Sequence, residues 1–191
     1  MTVYSLFSHT GVPTITGTPS GPQSLGTEFS LSSPAALTGI WFFTPSGATD
    51  LPGTTAIYKV GDQAQVAGTL ASSPSWSGAA GSQAWVKCSY DGSVTLAAAT
   101  NYRVAVFASA SAAWAWDEGY WSSGAGLGGI TSGIISAPDN AHASDSGAQI
   151  GNHTGVSLVY PGSNADAGTN VWIDVEVTVS ASGLLLTTML P

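Results

Sequence analysis

Charge is scarce in this sequence. Only Lys59, Lys87 and Arg103 are basic, charged residues make up 7% of the 191, and the formal net charge is −8. So few cations cannot neutralise a phosphate backbone or hold an anionic bilayer surface, which argues against nucleic acid and membrane as partners. Cysteine is almost absent. The single Cys88 leaves no internal disulfide framework, and a lone buried thiol behaves as a small hydrophobe. Long apolar runs are missing as well. No segment approaches membrane-spanning length, and residues 1–9 lack the basic start and apolar stretch of a secretory signal, so the chain is expected to be made and folded in a cytoplasm. Finally, no window of a dozen residues carries the 3.6-residue apolar period of an amphipathic helix.

What fills the chain is Gly, Ser, Thr and Ala, punctuating runs of alternating apolar residues. The clearest run is residues 170–179, which sets Val171, Ile173, Val175, Val177 and Val179 on one face and Trp172, Asp174 and Glu176 on the other. That alternation reads as a half-buried antiparallel strand with one wet face, on which Asp174 and Glu176 discourage pairing with strangers. Further strands are expected near 25–31, 36–43, 55–60, 64–71, 83–89, 93–96, 101–108 and 156–160. Between them lie Pro45-Ser46-Gly47, Leu51-Pro52-Gly53, Gly61-Asp62, Asp91-Gly92 and Pro161-Gly162-Ser163, whose residues favour turns. Leu37–Phe43 and Tyr102–Phe107 are dense in β-branched and aromatic residues and are expected mid-core. Asp91-Gly92 predicts a hairpin joining two paired strands. The fold expected is all-β, an antiparallel β-sandwich of immunoglobulin-like or jelly-roll-like type. It forms one domain over residues 1–180, with a long Gly/Ala/Ser-rich loop at about 109–155 and an apolar docking segment at 181–191.

Three pieces in order carry a family resemblance. The first is Leu25-Gly26-Thr27-Glu28-Phe29 followed by Leu37-Thr38-Gly39-Ile40-Trp41-Phe42. The second is Leu96–Val104, and the third is Val159-Tyr160-Pro161 with Asn170–Val175. Over about residues 4–180 the chain resembles a small all-β domain of unassigned biochemical role, found in actinobacteriophage minor tail proteins and in bacterial surface and carbohydrate-active proteins. Val171 stands where that family usually has an aromatic residue. The resemblance implies a β-sandwich exposed on a virion or cell surface.

Candidate contact residues cluster in two places. Trp114, Trp116, Tyr120 and Trp121 flank Asp117 and Glu118. Aromatic faces beside carboxylates suit a neutral sugar ring, but the same residues serve equally as interface anchors or core filling. Asp117-Glu118 does not make a glycosidase pair, because adjacent residues of a strand point apart. The second place is Gly183–Pro191, where Leu184, Leu185, Leu186, Met189 and Leu190 form an apolar segment that needs cover. No metal site is expected from His142, His153, Asp139, Asp145 and Asn152, whose spacing matches no tight ligand motif, and Asn164, Asp166 and Asn170 carry no calcium-loop signature. No Gly-x-Ser-x-Gly elbow accompanies His9. The sequence therefore reads as a non-enzymatic virion protein without cofactor, either a minor tail component or a capsid decoration subunit. Its expected partners are other virion proteins and copies of itself. The competing reading is a host-adhesion module that contacts cell-wall glycan through the Trp/Tyr cluster.

Overall fold

The computed structural model describes residues 1–15, 17–18, 20–144, 150–162 and 168–180, with 150 and 151 described by backbone alone. It is an all-β sandwich of two antiparallel sheets, with no helix among the described residues. The strands are β1 (Thr2–Tyr4), β2 (Gln23–Leu31), β3 (Ala35–Thr44), β4 (Thr54–Lys59), β5 (Ala84–Ser89), β6 (Thr95–Leu96), β7 (Asn101–Ala108), β8 (Ile130–Ser132), β9 (Ile135–Ala137), β10 (Ile150–Thr154) and β11 (Ile173–Val179). The first sheet runs β1-β11-β3-β5, with β6 also on β3. The second runs β4-β7-β2-β9-β8, with β10 also on β2. One core spans both, built from Leu25, Phe29, Ile57, Val104 and Val106 of the second sheet and Ile40, Phe42, Val86, Ile173 and Val175 of the first. The runs Leu37–Phe43 and Tyr102–Phe107, dense in β-branched and aromatic residues, thus lie in central strands, because their apolar faces have another sheet to meet.

Four expectations change. Residues 64–71 form no strand. The segment lies beside β4 through single bridges at Gln65 and Ala71, and between them Thr69 Oγ1 takes the place of backbone, accepting from Ile57 N at 3.0 Å and donating to Val66 O at 2.7 Å. Residues 156–160 are likewise irregular. There Leu158 and Tyr160 lie on Ala56, Tyr58 and Ala105, while β10 does the pairing just upstream. The loop expected over 109–155 holds β8, β9 and β10, two of them too short for alternation to reveal. Last, Asp91-Gly92 joins no paired strands. β5 and β6 both pair with β3, and Tyr90 N→Thr38 O and Val94 O←Leu37 N continue the same edge on either side of the turn. The turn is an excursion from a single path, with Asp91 Oδ1 accepting from Ser93 N at 2.9 Å.

Tyr90, at the base of that excursion, is held between Thr55 Oγ1 at 2.7 Å and Thr69 O at 2.8 Å. Burial pushes its phenol up to about 12, against a smaller opposing effect from the Thr55 hydrogen bond. A phenol raised from its unfolded value of 10.0 stabilises the fold fully below pH 10, and that contribution is lost as pH rises towards 12. The expected result is a stability loss on the order of 2 kcal/mol across this alkaline window, removed by Tyr90→Phe. Denaturant unfolding at several alkaline pH values, with phenolate absorbance followed in parallel, checks it. Equal slopes in wild type and Tyr90→Phe would contradict it.

Candidate functional site

The face of β11 expected to be wet is covered. Trp41 pairs with Asp174 on one side and Lys87 on the other, so these three project from the same face of the first sheet. Residues 5–9 cross that face and are gathered by one carboxylate. Asp174, fully buried, accepts from Leu6 N at 3.2 Å, Phe7 N at 2.9 Å and Val175 N at 2.7 Å, and bonds His9 Nε2 at 3.0 Å. The His9 ring lies on Trp41 with centroids 4.0 Å apart and planes 16° from parallel. Beside it, Glu176 accepts from Lys87 Nζ at 2.6 Å, Thr38 Oγ1 at 3.0 Å and Trp41 Nε1 at 3.2 Å. Burial alone would raise the Glu176 carboxyl, but these hydrogen bonds and the Lys87 charge outweigh it and hold it below the ordinary range. Neither carboxylate serves to repel strangers from an open strand face, as the sequence suggested.

The aromatic candidates do not form an exposed platform. Trp114 is 3% exposed, Tyr120 8% and Trp121 0%. Residues 113–117 are threaded between two other segments by single bridges, Ser20↔Ala113 and Gly17↔Trp116 on one side and Asp117↔Asn170 on the other. That path turns the rings inward. Phe7, Tyr120, Trp121 and Trp172 meet edge to face or tilted, with Tyr120 4.9 Å from Trp121 and 5.1 Å from Trp172. Trp116 is half-buried, with its indole against the backbone of Gly17. Burial pushes the Asp117 carboxyl up, while the neighbouring Glu118 is exposed. The apolar candidates Leu184, Leu185, Leu186, Met189 and Leu190 lie outside the described residues, as do Asp145, Asn164 and Asp166.

Two further carboxylates behave as Asp174 does. Glu28 accepts from Ser144 N at 3.0 Å and pairs with the buried Arg103 at 3.4 Å, while Arg103 also donates to Pro161 O at 2.6 Å. Asp139 binds Gly128 N at 2.9 Å, His142 N at 3.0 Å and the His142 ring, and the His142 hydrogen bond leads the effects that hold its carboxyl low. His153 stands apart on β10. Among the described residues, no group of three or more His, Cys, Asp or Glu is placed to hold a metal ion.

Open concavities lie elsewhere. One of about 620 Å³ lies between the 59–63 and 99–101 turns. Another, of about 520 Å³, is lined by residues 49–53 and by Ser73, Pro74, Trp76 and Ala80. In the sequence Leu51-Pro52-Gly53 reads only as a turn, and Trp76 falls outside both candidate clusters. A Trp two residues after Pro74, opposite a second proline turn, is the signal that would have drawn attention to this place. Compared with models of known protein families and with curated proteins, the chain finds a match in neither.

Proposed function

We propose that this chain is a non-enzymatic structural protein of a bacteriophage virion surface, a minor tail component or a capsid decoration subunit, working through assembly contacts. The observation that carries this reading is the use made of the buried and half-buried carboxylates. Asp174, Glu176, Glu28 and Asp139 each accept hydrogen bonds from two or more separate parts of this same chain, pinning segments to the sheets. Carboxylates so committed rigidify a scaffold and are not poised for proton transfer. The low charge and the Gly, Ser and Thr content support a surface that resists sticky encounters, and the resemblance to phage tail domains supports the location.

Assembly in this reading proceeds by burial. Leu184, Leu185, Leu186, Met189 and Leu190 dock on a neighbouring virion protein or on another copy of the chain. Each side chain contributes roughly 1.5–3 kcal/mol before ordering costs. Deleting residues 183–191 is expected to leave the melting temperature nearly unchanged while abolishing co-sedimentation with tails or capsids that lack the protein. Truncated chain that still loads onto either particle would overturn the mechanism. Full-length chain that loads onto neither would overturn the location.

A further inference from the structure

The cavity beside Trp76 has a lining whose hydrogen-bonding capacity is one-sided. Its apolar part is Leu51, Pro52, Pro74 and Trp76, and its polar part is Thr49, Asp50 and Ser73. Every side-chain donor in it is already committed within the chain. Trp76 Nε1 donates to Pro52 O at 2.9 Å, Thr49 Oγ1 to Ser111 O at 3.2 Å and Ser73 Oγ to Ser72 O at 2.8 Å. Two backbone donors of the lining are committed too, Leu51 N to Asp50 Oδ1 at 2.9 Å and Gly53 N to Phe107 O at 3.0 Å. What remains on the side chains is acceptor capacity. The Asp50 carboxylate has about four lone-pair sites and uses two, for Leu51 N and for Ser109 Oγ at 3.2 Å, and the two hydroxyl oxygens retain theirs.

A ligand for such a place must bring its own donors and an apolar face. We propose that this cavity binds one or two units of a neutral saccharide, the C–H face of a ring lying against Trp76 and the Pro52 and Pro74 rings, with its hydroxyls donating to Asp50, Thr49 and Ser73. The volume of about 520 Å³ falls within the range of small-ligand sites. Acidic sugars are disfavoured because no cation lines the cavity and a carboxylate does. A proline-rich peptide docks on aromatic grooves as well, but it offers carbonyl acceptors and seeks donors such as the indole N–H, which here is spent on Pro52. A quaternary amine prefers several aromatic faces, and this lining supplies one. The proposal stands independently of the virion assignment, since it concerns what the cavity holds and not where the protein resides.

The test is isothermal titration of the full-length chain with cellotetraose, maltotetraose and chitotetraose at low and high salt, alongside decaproline and choline. At least one tetrasaccharide is expected to bind, equally at both salt concentrations, with Trp76→Ala weakening it about tenfold or more. Because Trp76 also packs near Phe42, with centroids 6.2 Å apart, Ser73→Arg at the exposed rim serves as a second variant. It is expected to block the cavity without touching the core. The proposal is overturned if none of the three sugars binds, if both folded variants bind as wild type does, or if only decaproline or choline binds. None of these outcomes bears on whether residues 183–191 direct particle association.

Discussion

Replacing Asp174 by asparagine is expected to lower the stability by about 3 kcal/mol, with the damage centred on residues 5–9. The carboxylate presents two acceptor oxygens to Leu6 N, Phe7 N, Val175 N and His9 Nε2. An asparagine amide keeps the shape but turns one acceptor into a donor, so an N–H group faces an N–H group at a side chain with no exposed surface. Each buried donor left without a partner costs about 1–3 kcal/mol, and no rotation of the amide satisfies both Leu6 and Phe7. For a chain of this size the loss corresponds to a fall of about 6–12 °C in melting temperature. Amide hydrogen exchange locates it. Leu6 and Phe7 are expected to lose far more protection than Phe42 in the centre of β3. An unchanged melting temperature with unchanged protection at Leu6 and Phe7 would mean that Asp174 does not hold the N-terminal segment.

That prediction depends on a contact between residues more than 160 positions apart, which shows where sequence reading runs out. The period-two pattern of residues 170–179 correctly places Val171, Ile173, Val175 and Val177 in the core. It says nothing of what covers the opposite face, because alternation reports two faces and not their neighbours. Residues 5–9 carry no periodic signal of their own. Leu6, Phe7 and His9 become informative only once β1 pairs with β11 and brings them over Trp41 and Trp85. The same limit applies to the aromatic run 114–121. Rings beside carboxylates look alike in sequence whether they face a ligand or a core, and the bridges to Gly17, Ser20 and Asn170 that decide the matter are non-local. β2, β3 and β7 were legible for the complementary reason. Each is long and bounded by turns, and β3 and β7 are also dense in β-branched and aromatic residues, so local preference and tertiary burial agree. Asp91-Gly92 was misleading because a tight turn specifies only that the chain reverses briefly, and β3 is long enough to pair on both sides of it.

Trp121→Ala separates a core role for the aromatic run from a ligand-binding one, and it is expected to cost about 3–5 kcal/mol. The indole has no exposed surface, lies edge-on to Tyr120 at 79°, approaches Phe7 at 6.3 Å and packs so closely on Gly126 that a Cβ there would come within 2.5 Å of it. Truncation leaves a void with several walls. Those walls are held by backbone bonds from Trp121 N to Gly168 O at 2.7 Å and from Asn140 N to Trp121 O at 3.3 Å, so they cannot collapse freely. Trp121→Phe is expected to cost far less, about 1–2 kcal/mol, since the indole Nε1 has no hydrogen-bond partner among the described residues and phenylalanine forfeits only volume. The alanine variant should therefore shift the urea midpoint strongly, the phenylalanine variant modestly, and both should leave any saccharide affinity at the Trp76 cavity unchanged. If Trp121→Ala left the midpoint in place and weakened sugar binding instead, the ring would be a contact surface, and the glycan reading of residues 114–121 would displace the core assignment.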